Sequence, residues 1–126
     1  MNNWAVSAVK PNVIQEKSYL FALNIINLYK RLQEHKEFVI SNQLLRSGTS
    51  IGANVEEATA GQTKKDFIAK MAIASKEARE TNYWLRLLRD GQMCPSVNVS
   101  SLICESEDLI KILTAIVKTS QRKNQF

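Results

Sequence analysis

The segment 43–58, QLLRSGTSIGANVEEA, limits what this chain can fold into more than any other stretch. It reads as a helix, yet its residues are small and polar where a helix core is normally large and apolar. Ser47, Gly48, Ser50, Gly52, Ala53 and Asn54 let another backbone come close. Gln43, Ser47, Ser50, Asn54 and Glu57 recur in steps of four and three, which puts them on one face of the helix. Such a helix needs a tightly packed neighbour.

The rest of the chain supplies neighbours. A first helix is expected from Asn12, an N-cap residue with Gln15 in capping-box position. Ile14, Phe21, Ile25, Leu28 and Leu32 form its apolar stripe, widened by Ala22, Ile26 and Tyr29. After a short connection around 34–38, the second helix is expected to run to about Ala60, with Gly61 as a left-handed residue closing it. Thr63 and Asp66 mark the start of a third helix over about 64–90, with Phe67, Met71, Ala74, Ala78, Leu85 and Leu88 as its core and Gly91 as its end. Its alanines at 69, 72, 74 and 78 match the small residues of the second helix, so these two are expected to pack closely. A loop containing Pro95 leads to a fourth helix near Asn98 or Ser100. Its rows are Leu102, Leu109, Leu113 and Ile116, with Ile103, Ile110 and Val117 beside them.

No segment carries strand periodicity. Four amphipathic helices on short connections predict an all-α, antiparallel, up-down-up-down four-helix bundle spanning residues 12–119. Residues 1–11 read as a flexible N-terminal arm carrying Trp4, a side chain suited to docking on the bundle or on a neighbouring subunit. Residues 120–126 read as a basic polar tail that frays. The broad apolar faces of the first and fourth helices are expected to supply more than one interface.

A chain of 126 residues is one domain. Its apolar runs fall far short of the ~20 residues needed to span a bilayer. The first residues lack the apolar core of a signal peptide, so cytoplasmic residence is expected. Two cysteines, Cys94 and Cys104, with one histidine, His35, make a zinc site implausible. There is no Glu-x-x-His pair for a di-iron bundle, and no base at helical spacing from Ser47 or Ser50. The expectation is a non-enzymatic protein with no catalytic residue, metal or cofactor.

The string QLLRSGTSIGANVEEA and the later FIAKMAIASKEARETNYWLRLL resemble the bacterial four-helix-bundle proteins also called the 23S rRNA intervening-sequence protein family, formerly misnamed ribosomal protein S23. Gln43, Arg46, Ser50, Ile51, Asn54 and Glu57 stand at the family's pattern positions, as do Ser75, Glu77 and Glu80 on the third helix. The resemblance covers about residues 12–118. Ala58 departs from the glycine that many members carry, which leaves the helix intact because alanine is the better helix former. The resemblance implies a ring-shaped homopentamer without established biochemical activity. It also implies kinship with the accessory protein of diversity-generating retroelements, which binds nucleic acid and partners a reverse transcriptase.

Net charge is +5, which permits an anionic partner without requiring one. Lys64, Lys65, Lys70, Lys76, Arg79, Arg86 and Arg89 lie on the third helix, and Arg122 and Lys123 in the tail. At 100° per residue Lys65, Lys76, Arg79 and Arg86 fall near one side, while Lys64 and Lys70 lie elsewhere. Five copies would carry about +25, and repetition turns weak phosphate contacts into avid, salt-sensitive binding of RNA or DNA. Tyr83 and Trp84 sit among these cations, more in keeping with packing than with base stacking. Gln43, Arg46, Ser50, Asn54 and Glu57 are expected to form a structural polar network that sets geometry rather than chemistry. The leading expectation is an oligomeric nucleic-acid-binding accessory protein. The alternative is a structural or protein-interaction scaffold with no nucleic-acid role.

Overall fold

A computed structural model describes residues 11–124, and the side chains of 13–122. Four helices follow one another: α1 (Pro11–Glu34), α2 (Val39–Thr59), α3 (Lys64–Asp90) and α4 (Ser100–Asn124). Among the described residues there is no strand. Each helix packs on its neighbours in chain order, and α4 closes against α1 through the thinnest of the four contacts.

Side-chain pairs fix the directions. Gln15 Nε2 donates to Thr59 Oγ1 at one end of α1–α2 and Gln33 Nε2 to Ser41 Oγ at the other. Arg46 meets Glu80 while Glu57 meets Lys70 between α2 and α3. Asn82 Nδ2 donates to Ser106 Oγ and Arg79 Nη2 to Thr114 Oγ1 between α3 and α4. Lys17 pairs with Asp108 and Asn24 with Glu105 across α4–α1. Every sequence-adjacent pair is therefore antiparallel, the up-down-up-down arrangement.

The stripes read from the sequence form the core. Ile14, Phe21, Ile25 and Leu32 of α1, Phe67, Met71, Ala74, Ala78 and Leu85 of α3, and Leu109, Leu113 and Ile116 of α4 are almost wholly buried. Leu44, Ile51, Val55 and Ala58 complete it from α2. Burying side chains of this size contributes about 1.5–3 kcal/mol each relative to exposure, which is what holds an all-helical chain of this length together.

Several boundaries differ from the sequence reading. Helix α1 begins at Pro11, not Asn12, because proline lacks the N–H that the first turn leaves unpaired and its φ already suits a helix. Gln15 is turned to Thr59, so it makes no capping box. Trp4 and residues 1–10 of the expected arm lie outside the described residues. Helix α4 continues through the expected fraying point to Asn124, since Ser120 extends the buried row of Leu113 and Ile116.

Neither Gly61 nor Gly91 takes the left-handed conformation. That role falls to Lys36 (φ 61°) and Gln92 (φ 51°). At each, the next N–H reaches back five residues: Glu37 to the Leu32 carbonyl (2.9 Å) and Met93 to the Leu88 carbonyl (3.2 Å). Both helices thus end in Schellman geometry without glycine. The start of α2 is capped by Glu37, whose carboxylate accepts from the N–H groups of Val39, Ile40 and Ser41 at 3.2, 3.2 and 2.7 Å. Thr63 caps α3 as expected, accepting from the Asp66 N–H at 3.0 Å.

Candidate nucleic-acid interface

Helix α4 is electrically divided along its length. Its first half carries Glu105, Glu107 and Asp108, and from Leu109 to Asn124 it carries no acid at all. Lys111 and Lys118, seven residues apart, share one exposed face, and Arg122 lies one turn further. Against this half packs the first half of α3, whose Lys65 and Lys76, eleven residues apart, are also exposed on one face. Between the two helices runs a shallow groove of about 260 Å³ whose lining includes Ala72, Ser75, Arg79, Thr114, Val117 and Lys118. The Arg79 guanidinium donates to the Thr114 hydroxyl at 3.1 Å, a neutral partner that leaves its charge uncompensated.

Of the acids of α3 near this groove, Asp66 lies in the first turn beside Lys65 and the other two are turned away. Glu77 and Glu80 point to α2, where Arg46 bridges both, at 3.5 Å to Glu77 and as a close ion pair with Glu80. Trp84 Nε1 donates to the same Glu80 carboxylate at 3.0 Å. The result is one cationic face, Lys65, Lys76, Arg79, Lys111, Lys118 and Arg122, and a charge-paired seam around the corner from it.

The nine cations singled out from the sequence therefore divide. Lys65, Lys76, Arg79 and Arg122 come to the α3–α4 face. Lys70 instead pairs with Glu57 at 3.1 Å on the α2 side, and Lys64 is half-buried at the start of α3. Arg86 and Arg89 lie toward the other end of the helix. Arg86 Nε donates to Asn82 Oδ1 at 2.8 Å. Arg89 pairs with Asp90 at 2.7 Å, and this hydrogen bond raises the guanidinium pKa while holding the Asp90 carboxyl below the usual carboxylate range. The side chain of Lys123 lies outside those described. Lys111 and Lys118 add to these cations from α4, and their signal in the sequence is the absence of acids after Asp108.

The polar stripe of α2 does not form one buried network. Of Gln43, Arg46, Ser47, Ser50, Asn54 and Glu57, only Ser47 is buried. The Thr81 hydroxyl donates across the helix interface to Ser47 Oγ at 2.9 Å, and Ser47 donates on to the Gln43 carbonyl. Ser50 and Asn54 bond within their own helix, to the carbonyls of Ser47 and Ser50. Gln43 accepts from Arg46, and both Arg46 and Glu57 are exposed. What these residues share is the α2–α3 seam: Arg46 with Glu77 and Glu80, and Glu57 with Lys70.

The most extensive helix contact is α2 on α3, as expected, while the glycine Gly48 is required on the α1 side of α2. A Cβ on Gly48 would stand 2.9 Å from both γ-carbons of Ile25. Ala53, expected in a close contact, is exposed. It lines an apolar groove of about 340 Å³ with Tyr19, Ala22, Leu23, Ile26 and Gly52 on the side of the bundle opposite the cationic face. Tyr19 and Leu23 remain 62% and 42% exposed there, with Leu20 beside them at 50%. On helix α4 the large apolar residues are buried or half-buried against its neighbours, with Ile110, Ile112 and Val117 half-buried.

No group of three or more His, Cys, Asp or Glu among the described residues is placed to hold a metal ion. No described helix is long and apolar enough to cross a membrane.

Comparison with known proteins places this geometry in context. The profile of a family described as 23S rRNA-intervening sequence protein matches residues 10–115. The crystal structure of a protein of unknown function from the S23 ribosomal protein family of Bacteroides thetaiotaomicron VPI-5482 superposes with a TM-score of 0.79 at 48% identity, covering 87% of this chain and 99% of that one. No curated protein matches.

Proposed function

This chain belongs to the 23S rRNA-intervening sequence protein family, and from that premise we propose that it is a non-enzymatic, oligomeric accessory protein that binds RNA or DNA through phosphate-backbone electrostatics. The observation that carries this reading is the acid-free α3–α4 face, where Lys76, Arg79 and Lys118 stand without a carboxylate partner among the described residues. Lysine and arginine bind phosphate without reading sequence, and each contact releases counterions. The apolar α1–α2 groove on the opposite side supports assembly, since exposed Tyr19 and Leu23 there gain by being covered. A homopentamer, the assembly the resemblance implies, would repeat the cationic face five times and raise avidity.

The test is anisotropy titration of labelled RNA and DNA oligonucleotides across a salt series, with light scattering to follow the assembly. Reversing Lys76, Arg79 and Lys118 to glutamate is expected to abolish binding and leave the oligomer intact. Single neutral substitutions should each lower the slope of log affinity against log salt by about 0.7–0.9. Lys70→Gln, on the α2 seam, should change the slope little. Binding that does not weaken with salt would refute the mechanism.

A second reading keeps the apolar groove and drops the nucleic acid. The same exposed Tyr19 and Leu23 suit a protein partner, a reverse transcriptase if this chain follows the retroelement branch. Wild-type protein that ignores nucleic acid while capturing such a partner, with capture lost in Leu23→Glu, would favour the scaffold.

A further inference from the structure

Tyr83 and Trp84 are adjacent, and the fold treats them differently. Trp84 is half-buried against the core and tied through Nε1 to Glu80. Tyr83 is 47% exposed and contributes nothing to the core cluster. It lies seven residues after Lys76, on the same face of α3, so both project from the helix that forms one wall of the cationic groove.

Cations surround the ring. Arg79 lies four residues before it, Arg86 three after, and Lys76 two turns before. The Arg86 guanidinium sits over one face of the Tyr83 ring, 5.9 Å from its centroid, and is held by its bond to Asn82 Oδ1, so the cation is positioned before any ligand arrives and a base would stack on the other face. Trp84 meets Tyr83 edge-on, with centroids 5.3 Å apart and ring planes at 66°, which restricts the tyrosine from the side. From Lys76 to Arg86 the helix rises about 15 Å. An exposed aromatic ring between cations spaced along a helix is the composition of a stacking platform on a phosphate track.

We propose that Tyr83 is a base-stacking site and that the α3 face therefore selects unpaired over paired nucleic acid. This deepens the electrostatic reading above and rests on it. Lys76, Arg79 and Arg86 hold the phosphates of a single strand while the Tyr83 ring takes the face of an unstacked base. A duplex offers the phosphates but keeps its bases stacked inside, so it gains only the electrostatic part. Stacking on a ring tolerates any base, so the preference is for strandedness and not for sequence.

The experiment compares wild type, Tyr83→Ala and Tyr83→Phe by anisotropy at one low salt concentration. The probe is a labelled mixed-sequence single strand of 20 nucleotides, as RNA and as DNA, alongside the blunt duplex of the same sequence. Tyr83→Ala is expected to weaken single-strand binding about 5- to 150-fold, the range for losing one stacked base, and to leave duplex binding within about twofold. Tyr83→Phe keeps the ring and should bind like wild type. Unchanged thermal unfolding of both variants separates a lost contact from a lost fold. If wild type binds salt-dependently and Tyr83→Ala alters neither ligand, or weakens both equally, the stacking site is overturned while the electrostatic reading stands. Wild type that binds neither ligand overturns both.

Discussion

The contact between α1 and α2 can be tested by the two glycines of α2, which the structure places in different surroundings. Adding a methyl group at Gly48 puts a carbon 2.9 Å from Ile25 Cγ1 and Cγ2 and 3.2 Å from its Cβ. Ile25 is fully buried and β-branched, so its side chain has no alternative rotamer into open space. Forcing the helices apart in a packed core costs typically 1–3 kcal/mol. The same methyl at Gly52 meets the Ser18 carbonyl at 3.4 Å, an ordinary contact. Both substitutions gain about 0.8–1 kcal/mol from the helix propensity of alanine over glycine. That gain cancels between the two variants, and the overpacking cost remains. Gly52→Ala should therefore be more stable than Gly48→Ala by about 1–3 kcal/mol, or roughly 3–6 °C in Tm for each kcal/mol at this chain length. Chemical denaturation and calorimetry at matched protein concentration, with the mass followed by light scattering, read the difference. Equal stability of the two variants, or a Gly48→Ala protein more stable than wild type, would mean that α1 and α2 are not in this register.

Three further outcomes follow from single contacts. Glu37→Ala removes the acceptor for three N–H groups at the start of α2 and should cost about 1–2 kcal/mol by urea unfolding; no measurable cost would show that water replaces it. Thr81→Val deletes the hydroxyl that crosses from α3 to Ser47 and should destabilise by about 0.5–1.5 kcal/mol with little change in shape; hydrogen exchange should rise along the α2–α3 seam. Asp90 has a folded pKa below its unfolded value, chiefly through its hydrogen bond from Arg89. Whatever stability it adds is present above about pH 4 and is lost as pH falls through the lowered pKa. Arg89→Gln should move the Asp90 carboxyl pKa upward in an NMR titration, and an unmoved pKa would count against the pair.

Much of the fold was legible because a four-helix bundle announces itself through local periodicity. The stripes of α1, α3 and α4 named each of those helices' large core residues, and Thr63 marked the start of α3 correctly. Helix ends were read less well. Glycine was expected to close α2 and α3, but the left-handed residues are Lys36, after α1, and Gln92, one past Gly91, where the capping bonds from Glu37 and Met93 outweigh the modest strain of a left-handed side chain. Glu37 was not read as a cap because it stands one residue before the N-cap position and is not one of the short side chains that usually cap a helix, although its bonds reach only two to four residues on.

The candidate interface was legible only in part. Charge is a property of the sequence, but partnership between charges is not. Lys70 and Lys76 are both lysines of α3 and differ only by which neighbour they face, Glu57 across the α2 seam or open solvent. Tyr83 and Trp84 likewise separate only when the helix is rotated against its neighbours.

By itself the sequence determined the number of helices, their amphipathic faces, the core residues and the net positive charge, because each is set by composition or by the 3.6-residue period of a single helix. Tertiary structure alone decided that Gly48 rather than Ala53 makes the close approach, that Tyr19 and Leu23 of α1 stay exposed beside α2, and that Lys118 joins Arg79 beside the groove between α3 and α4. Those outcomes depend on the rotation of each helix about its axis and its register against the next, which are fixed by packing between segments far apart in the chain.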